Sequence, residues 1–148
     1  MSTSMSPAER EQFLAGVHVG VISVDAGPGS GPLAIPVWYA YEPGGPVSVS
    51  TGRSTRKAVA VGAAGRFSLC AQDEQPPYKY VTVEGPAVIE PASLDERRAL
   101  ARRYLGPADG DAFMEATAGA EAGDGDGADA IMIRMTPEHW LAADFGKS

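Results

Sequence analysis

The residues best placed to do chemistry lie in Ser50-Thr51-Gly52-Arg53-Ser54-Thr55-Arg56-Lys57. Gly52 permits a turn, and Ser54 or Thr55 can cap a helix that begins there. The first turn of a helix presents unpaired N–H groups and a partial positive charge. Hydroxyls at such a cap, with Arg53, Arg56 and Lys57 close by, would meet several oxygens of a phosphate. Cations more commonly sit at helix C-termini, so as a bare solvated helix start this arrangement is electrostatically unfavourable. The segment therefore reads as an anion cradle for a phosphate-bearing ligand.

The rest of the composition sharpens that point. The 148-residue chain carries 12 basic against 19 acidic residues, a net charge of −7. Such a surface repels nucleic-acid phosphates and anionic lipid, so neither is expected as a partner, and a bound anion must be met by a local cationic cluster. The chain is 44% hydrophobic and 21% charged, as in a soluble globular domain, and its length suits one domain. No apolar run approaches the ~20 residues of a membrane span, and the first residues carry no secretory signal pattern. A lone cysteine, Cys70, excludes an internal disulfide framework and fits a reducing cytoplasm.

Other chemistries find little to build on. His18 and His139 both fall on expected strands, and with one cysteine they do not make a zinc site. Asp124-Gly125-Asp126-Gly127-Ala128-Asp129 fails as a calcium loop, because its sixth position is Asp129 rather than glycine and its twelfth is Met135. Gly27-Pro28-Gly29-Ser30-Gly31 leads into a strand, not a helix, which excludes a dinucleotide fingerprint. Cys70 is expected to be buried and inert. Trp38, Tyr39 and Tyr41 could be ordinary core aromatics, and Trp38 could equally serve as a cofactor wall.

The elements that must position the cradle are legible from caps and periodicity. Ser6, Pro7 and Glu9 open a helix with Phe13 and Leu14 on its apolar side and Gly16 at its end. Val17 to Val24 reads as a strand, and Asp25 to Gly31 as a flexible turn. Leu33 to Tyr41 reads as a second strand, bulged at Pro36 or lying at an edge. The turn Glu42 to Gly45 then leads into Pro46 to Thr51, which predicts a hairpin ending at Gly52. Ser54 to Ala64 should be helical. Strands follow at Arg66–Gln72 and Tyr78–Glu90, the latter bent at Gly85-Pro86. A Ser93–Glu96 capping box opens a helix through Tyr104, ended by Gly106-Pro107, and a shorter helix covers Asp109 to Ala116. Ala118 to Asp129 should be a mobile acidic loop. Strands at Ala130–Met135 and His139–Phe145 finish the chain. About seven clustered strands favour an antiparallel sheet or barrel over a doubly wound sheet.

In this order, Pro32 to Tyr39, Ser50-Thr51, Ser54-Thr55-Arg56-Lys57 and Tyr78 to Ala87 resemble the pyridoxamine 5′-phosphate oxidase-like split β-barrel superfamily. Within it, they look most like the flavin/deazaflavin oxidoreductase B group of actinobacteria, and the Ala- and Gly-rich composition is consistent with such a source. The resemblance covers roughly Ala8 to Phe145. It implies a mainly β fold with short helices, a split β-barrel of the flavin-reductase/FMN-binding type over residues 1–148. It further implies a homodimer with cofactor sites at the interface. The cofactor phosphate would sit on Ser54, Arg56 and Lys57, with Thr55 at the cap. The ring would lie against Ile35, Pro36, Val37 and Trp38 and the strand end Ser50-Thr51. Tyr78, Lys79 and Tyr80 would close the pocket, with Trp140 near it. The chain stops at Phe145-Gly146-Lys147-Ser148 without the arginine-rich substrate segment of true pyridoxamine phosphate oxidases. The implied cofactor is therefore coenzyme F420, with FMN the alternative. The implied activity is hydride transfer from reduced deazaflavin to a small conjugated organic substrate. The cofactor carries that chemistry, so no protein nucleophile is required. A non-enzymatic binder of F420, FMN or haem, and an FMN-dependent enzyme, are the other readings.

Overall fold

The structure is a computed structural model that describes residues 2–117 and 129–147. Of the expected acidic loop, only Asp129 falls within them. The elements run α1 (Pro7–Ala15), β1 (Gly20–Val24), β2 (Leu33–Val37), β3 (Val47–Gly52), α2 (Arg56–Ala64), β4 (Arg66–Asp73), β5 (Lys79–Pro91), α3 (Leu94–Leu105), α4 (Pro107–Thr117), β6 (Ala130–Met135) and β7 (His139–Asp144). Seven antiparallel strands are hydrogen-bonded in the order β2-β1-β4-β5-β6-β3, with β7 added on β5.

Strand β5 explains the curl. Its first part, Lys79 to Glu84, lies between β4 and β7, whereas Ala87 to Pro91 pairs with β6. The change of partner falls at Gly85-Pro86, where the sequence predicted a bend. A side chain at Gly85 has no room, because a Cβ there would lie 1.8 Å from the Thr136 carbonyl oxygen. The β6–β7 connection is laced onto this corner by Thr136 N–H donating to Pro86 O and Glu138 N–H donating to Glu84 O, both 2.9 Å. One long strand thus serves two sheets, and the sheets wrap around a core that includes Ile22, Leu69, Val81, Val83, Ile131 and Ile133.

Pro36 sits opposite Val21 on β2, which is an edge strand, so its missing N–H disrupts no central ladder. The expected β2–β3 hairpin does not form. β2 ends at Val37 and pairs with β1, β3 pairs with β6, and the two touch only through an Ala40–Ser48 bridge. The physical reason is that β3 takes its partner from β6, which leaves β2 and β3 at opposite ends of the strand order: residues 38–46 cross from one sheet to the other and leave a seam in the barrel wall. The first strand also starts later than expected, so that Val17, His18 and Val19 precede β1.

Tyr39 closes this seam from inside. Its side chain is fully buried, and its hydroxyl donates to the Leu14 carbonyl at 2.6 Å. Burial raises the phenol pKa, so the group remains a donor. Tyr39→Phe is expected to cost about 1–2 kcal/mol, the price of leaving a buried carbonyl unpaired, and urea denaturation checks it.

The helices follow their caps. Ser6 and Glu9 form the full capping box of α1, and Thr55 caps α2 by accepting from Ala58 N–H. Ser93 accepts from Glu96 N–H at the start of α3 and donates its hydroxyl to Glu96 Oε1, while Glu96 Oε2 meets Arg134, which also binds Glu90. Gly110 lets α4 lie directly on α3, since a Cβ there would be 2.7 Å from the Arg102 backbone. Among the described residues no helix is long and apolar enough to cross a membrane.

Candidate functional site

A cavity of about 330 Å³ opens between β2, the start of α2 and the α3–α4 pair, and its walls include Pro36, Val37, Trp38, Ser50, Lys57 and Arg97. The strand order explains this convergence. Pro36 and Val37 end the edge strand β2, Ser50 belongs to β3, and α2 follows β3 directly through the turn at Gly52. Lys57, two residues past the Thr55 cap, is only 4% exposed. An ammonium so far out of water is retained only where anionic or hydrogen-bonding groups face it. Ser50 Oγ is buried and has no hydrogen-bond partner among the described residues. Leaving such a hydroxyl unpaired costs about 1–3 kcal/mol, which an oxygen of a ligand or of water would recover.

One wall is aromatic. The Trp38 indole stacks on Tyr104 with centroids 4.9 Å apart and planes 6° from parallel, and Phe113 meets it at 5.5 Å and 50°. The cavity therefore combines a flat apolar surface, two cations and an open hydroxyl, the mixture that binds an anionic aromatic molecule.

The residues singled out from the sequence do not all meet here. Pro36, Val37, Trp38, Ser50 and Lys57 share the cavity. Ile35 is half-buried and packs against the core. Thr51 is fully buried, and its hydroxyl pairs with Thr55 Oγ1 at 2.9 Å. Thr55 Oγ1 also donates to Gly52 O and accepts from Ala58 N–H, so the hydrogen bonds of this cap are spent on the turn itself. Ser54 and Arg56 line a second depression, of about 420 Å³, with Asp25, Leu33 and Val59. Successive residues of a helix start point about 100° apart, which is why Arg56 and Lys57 face different hollows. Tyr78 is exposed, and Lys79 lies with Nζ 5.7 Å from the Phe13 ring centroid; neither lines the cavity within this chain. Trp140 lies elsewhere, against Arg10 and Tyr41.

Arg97, Leu100, Ala101 and Phe113 were not singled out from the sequence. The signal was present: Arg97, Leu100 and Ala101 stand at i, i+3 and i+4, one face of α3, in a chain short of cations. Cys70, expected to be buried, is half-buried and free.

His18 packs against the end of α1. Its Nε2 lies 3.0 Å from the Phe13 carbonyl, and its ring stacks on Phe13 with centroids 4.3 Å apart. Burial holds the imidazole pKa below its usual range, against the opposing pull of that hydrogen bond. The unfolded chain then binds the proton more readily, so this contribution to stability is present above pH ~6.5 and is lost as pH falls. Thermal unfolding followed from about pH 7 to 5 should show a decline that His18→Gln flattens. His139 is exposed beside Glu84 and Glu138, whose carboxylates Arg66 already binds.

No protein-family model matches the chain, and no curated protein matches it. Solved structures do. A conserved hypothetical protein of Mycobacterium tuberculosis is 22% identical, with 99% of this chain and 89% of that one covered at a TM-score of 0.73. A structure described as an F420 reductase is 20% identical, with 88% and 94% covered at a TM-score of 0.63. A putative pyridoxamine 5′-phosphate oxidase from Listeria innocua is 14% identical, with 90% and 96% covered at a TM-score of 0.61. The fold is that of the pyridoxamine 5′-phosphate oxidase-like split β-barrel, as the ordered sequence segments implied.

Proposed function

We propose that this chain binds coenzyme F420 and transfers hydride from its reduced form to a small conjugated organic substrate. The observation that carries this reading is Lys57, a buried cation at a helix start, in one cavity with the Trp38 wall and the unpaired Ser50 hydroxyl. Structural similarity to an F420 reductase supports it.

The residues present fit the group. Lys57 would hold the phosphate, assisted by the positive end of α2. Ser54 and Arg56, at the same helix start but over the second depression, are placed for further anionic groups of an extended cofactor. Pro36, Val37 and Trp38 would shelter one side of the ring, and Ser50 would bond a polar edge. A bound reduced deazaflavin supplies the hydride. The protein then has three tasks: to neutralise the phosphate, to keep water from the ring face, and to orient the acceptor. None requires a nucleophile.

A homodimer belongs to this reading, with Tyr78 and Lys79 of a second copy completing the pocket. The exposed apolar residues Val59 on α2 and Val88 and Ile89 on the outer part of β5 support it. A cytoplasmic setting suits a reduced cofactor and a half-buried free thiol.

Turnover is the test. Reduced F420 should be oxidised when enones, quinones or tetrapyrroles are added with the protein. Tight binding of F420 without oxidation across such a panel would leave a carrier rather than an enzyme. Copurification of a yellow flavin would assign the site to FMN. The two cofactors also differ in reach, because FMN ends at its phosphate. Arg56→Ala should weaken F420 several-fold and leave FMN within about two-fold, as titration of each will show.

A further inference from the structure

We propose that Tyr104 is a positioning residue that locks the aromatic wall and the helical roof of the cavity into one geometry. The inference rests on the reading of Trp38 as the cofactor wall. Tyr104 itself does not line the cavity.

Three contacts converge on it. Its ring lies flat against Trp38, 4.9 Å between centroids. Its hydroxyl donates to the His18 carbonyl at 2.6 Å and accepts from the Tyr39 N–H at 3.0 Å. Those two backbone groups belong to the residue just before Val19 and the residue just after Trp38, and Val19 and Trp38 are both cavity walls. The backbone needs this help. Residue 18 precedes β1 and residue 39 follows the end of β2, so neither group has a partner in the strand ladder. A single hydroxyl replaces two missing ladder bonds at the seam.

The same residue anchors the roof. Arg97, Leu100, Ala101 and Tyr104 stand at i, i+3, i+4 and i+7 of α3 and form one stripe. The first three line the cavity, and the fourth is bolted to the barrel. Arg103 reinforces this end by donating to the Ala15 and Gly16 carbonyls at 3.2 and 2.8 Å. The barrel seam, the Trp38 plane and the Arg97 face of α3 are therefore set by one side chain.

The test separates this role from general stability. Trp140→Phe leaves Trp38 as the only tryptophan, and in that background Tyr104→Phe keeps the stacked ring while removing the hydroxyl. Without ligand, acrylamide quenching of Trp38 should rise about two-fold. FMN and F420 titrations should weaken about five- to ten-fold, the loss expected of one hydrogen bond that orders the site. Ile22→Val, a core truncation of similar stability cost, should change neither. Quenching and affinity in Tyr104→Phe equal to those in Ile22→Val would overturn the proposal. If the unmodified protein binds neither cofactor, the proposed function falls, and the clamp is decided by quenching alone. Should Tyr104→Phe not fold, hydrogen exchange on the unaltered protein decides: a protected Tyr39 amide supports the clamp, and a freely exchanging one refutes it.

Discussion

Gly85→Ala is expected to destabilise the protein by about 3–5 kcal/mol. The added Cβ would meet the Thr136 carbonyl oxygen at 1.8 Å. That oxygen belongs to backbone held on both sides, by Thr136 N–H to Pro86 and Glu138 N–H to Glu84. It cannot swing away as a flexible side chain would. Relief requires the β6–β7 connection to lift from the corner of β5, which uncouples the two sheets that share this strand. Against a total stability of typically 5–15 kcal/mol, such a loss leaves a marginal fold. Gly62→Ala is the matched comparison. Its Cβ would sit 3.5 Å from Ile89 Cδ1, an ordinary contact in the interior of α2, so stability should hold or rise by up to ~1 kcal/mol. Urea denaturation of the two variants beside the parent chain measures both.

Lys57→Met is expected to weaken cofactor binding by about 2–3 kcal/mol, roughly 30- to 150-fold. The substitution keeps the length of the buried stem and removes only the charge, so the cavity shape is retained. Because Lys57 is nearly out of water, its interaction with a phosphate is little screened by salt. Arg56 is exposed over the second depression, and its contribution should be smaller and salt-sensitive. The contrast follows from the split of the helix start between two hollows. Titration calorimetry of Lys57→Met and Arg56→Ala at low and high salt should therefore give a large, salt-insensitive loss for the first and a small, salt-dependent one for the second.

The architecture was legible because its signals are local. Ser6 with Glu9, Thr55 before Arg56, and Ser93 with Glu96 mark three helix starts within a residue or two. Alternation and β-branching mark the strands, and Gly85-Pro86 marks the bend. Strand pairing was less legible. Adjacency of β2 and β3 in sequence suggested a hairpin, yet β3 takes β6 as its partner, some eighty residues away. Nothing in residues 33–52 encodes that choice, which depends on β5 delivering β6 to the second sheet.

The site was legible in part for the same reason. Lys57 stood out by residue type, the resemblance set Ser50 and the Pro36–Trp38 segment beside it, and the structure brings these residues to one cavity. The α3–α4 roof was missed because the i, i+3, i+4 spacing of Arg97, Leu100 and Ala101 marks a face of α3 but not what that face lies over. Conversely, Thr55 looked like a phosphate ligand but spends its hydroxyl on Gly52, Thr51 and Ala58. A cap that holds a turn and a cap that holds an anion have the same sequence.

The central claim is that a phosphate-bearing deazaflavin binds at Lys57 and Trp38. Side-by-side titration of the purified apoprotein with F420 and FMN, read by quenching of tryptophan fluorescence, tests it most directly. F420 should bind at roughly micromolar concentration or tighter, more strongly than FMN, and with Lys57→Met abolishing most of the difference from buffer. Binding of neither cofactor, or F420 affinity unchanged in Lys57→Met, would contradict it.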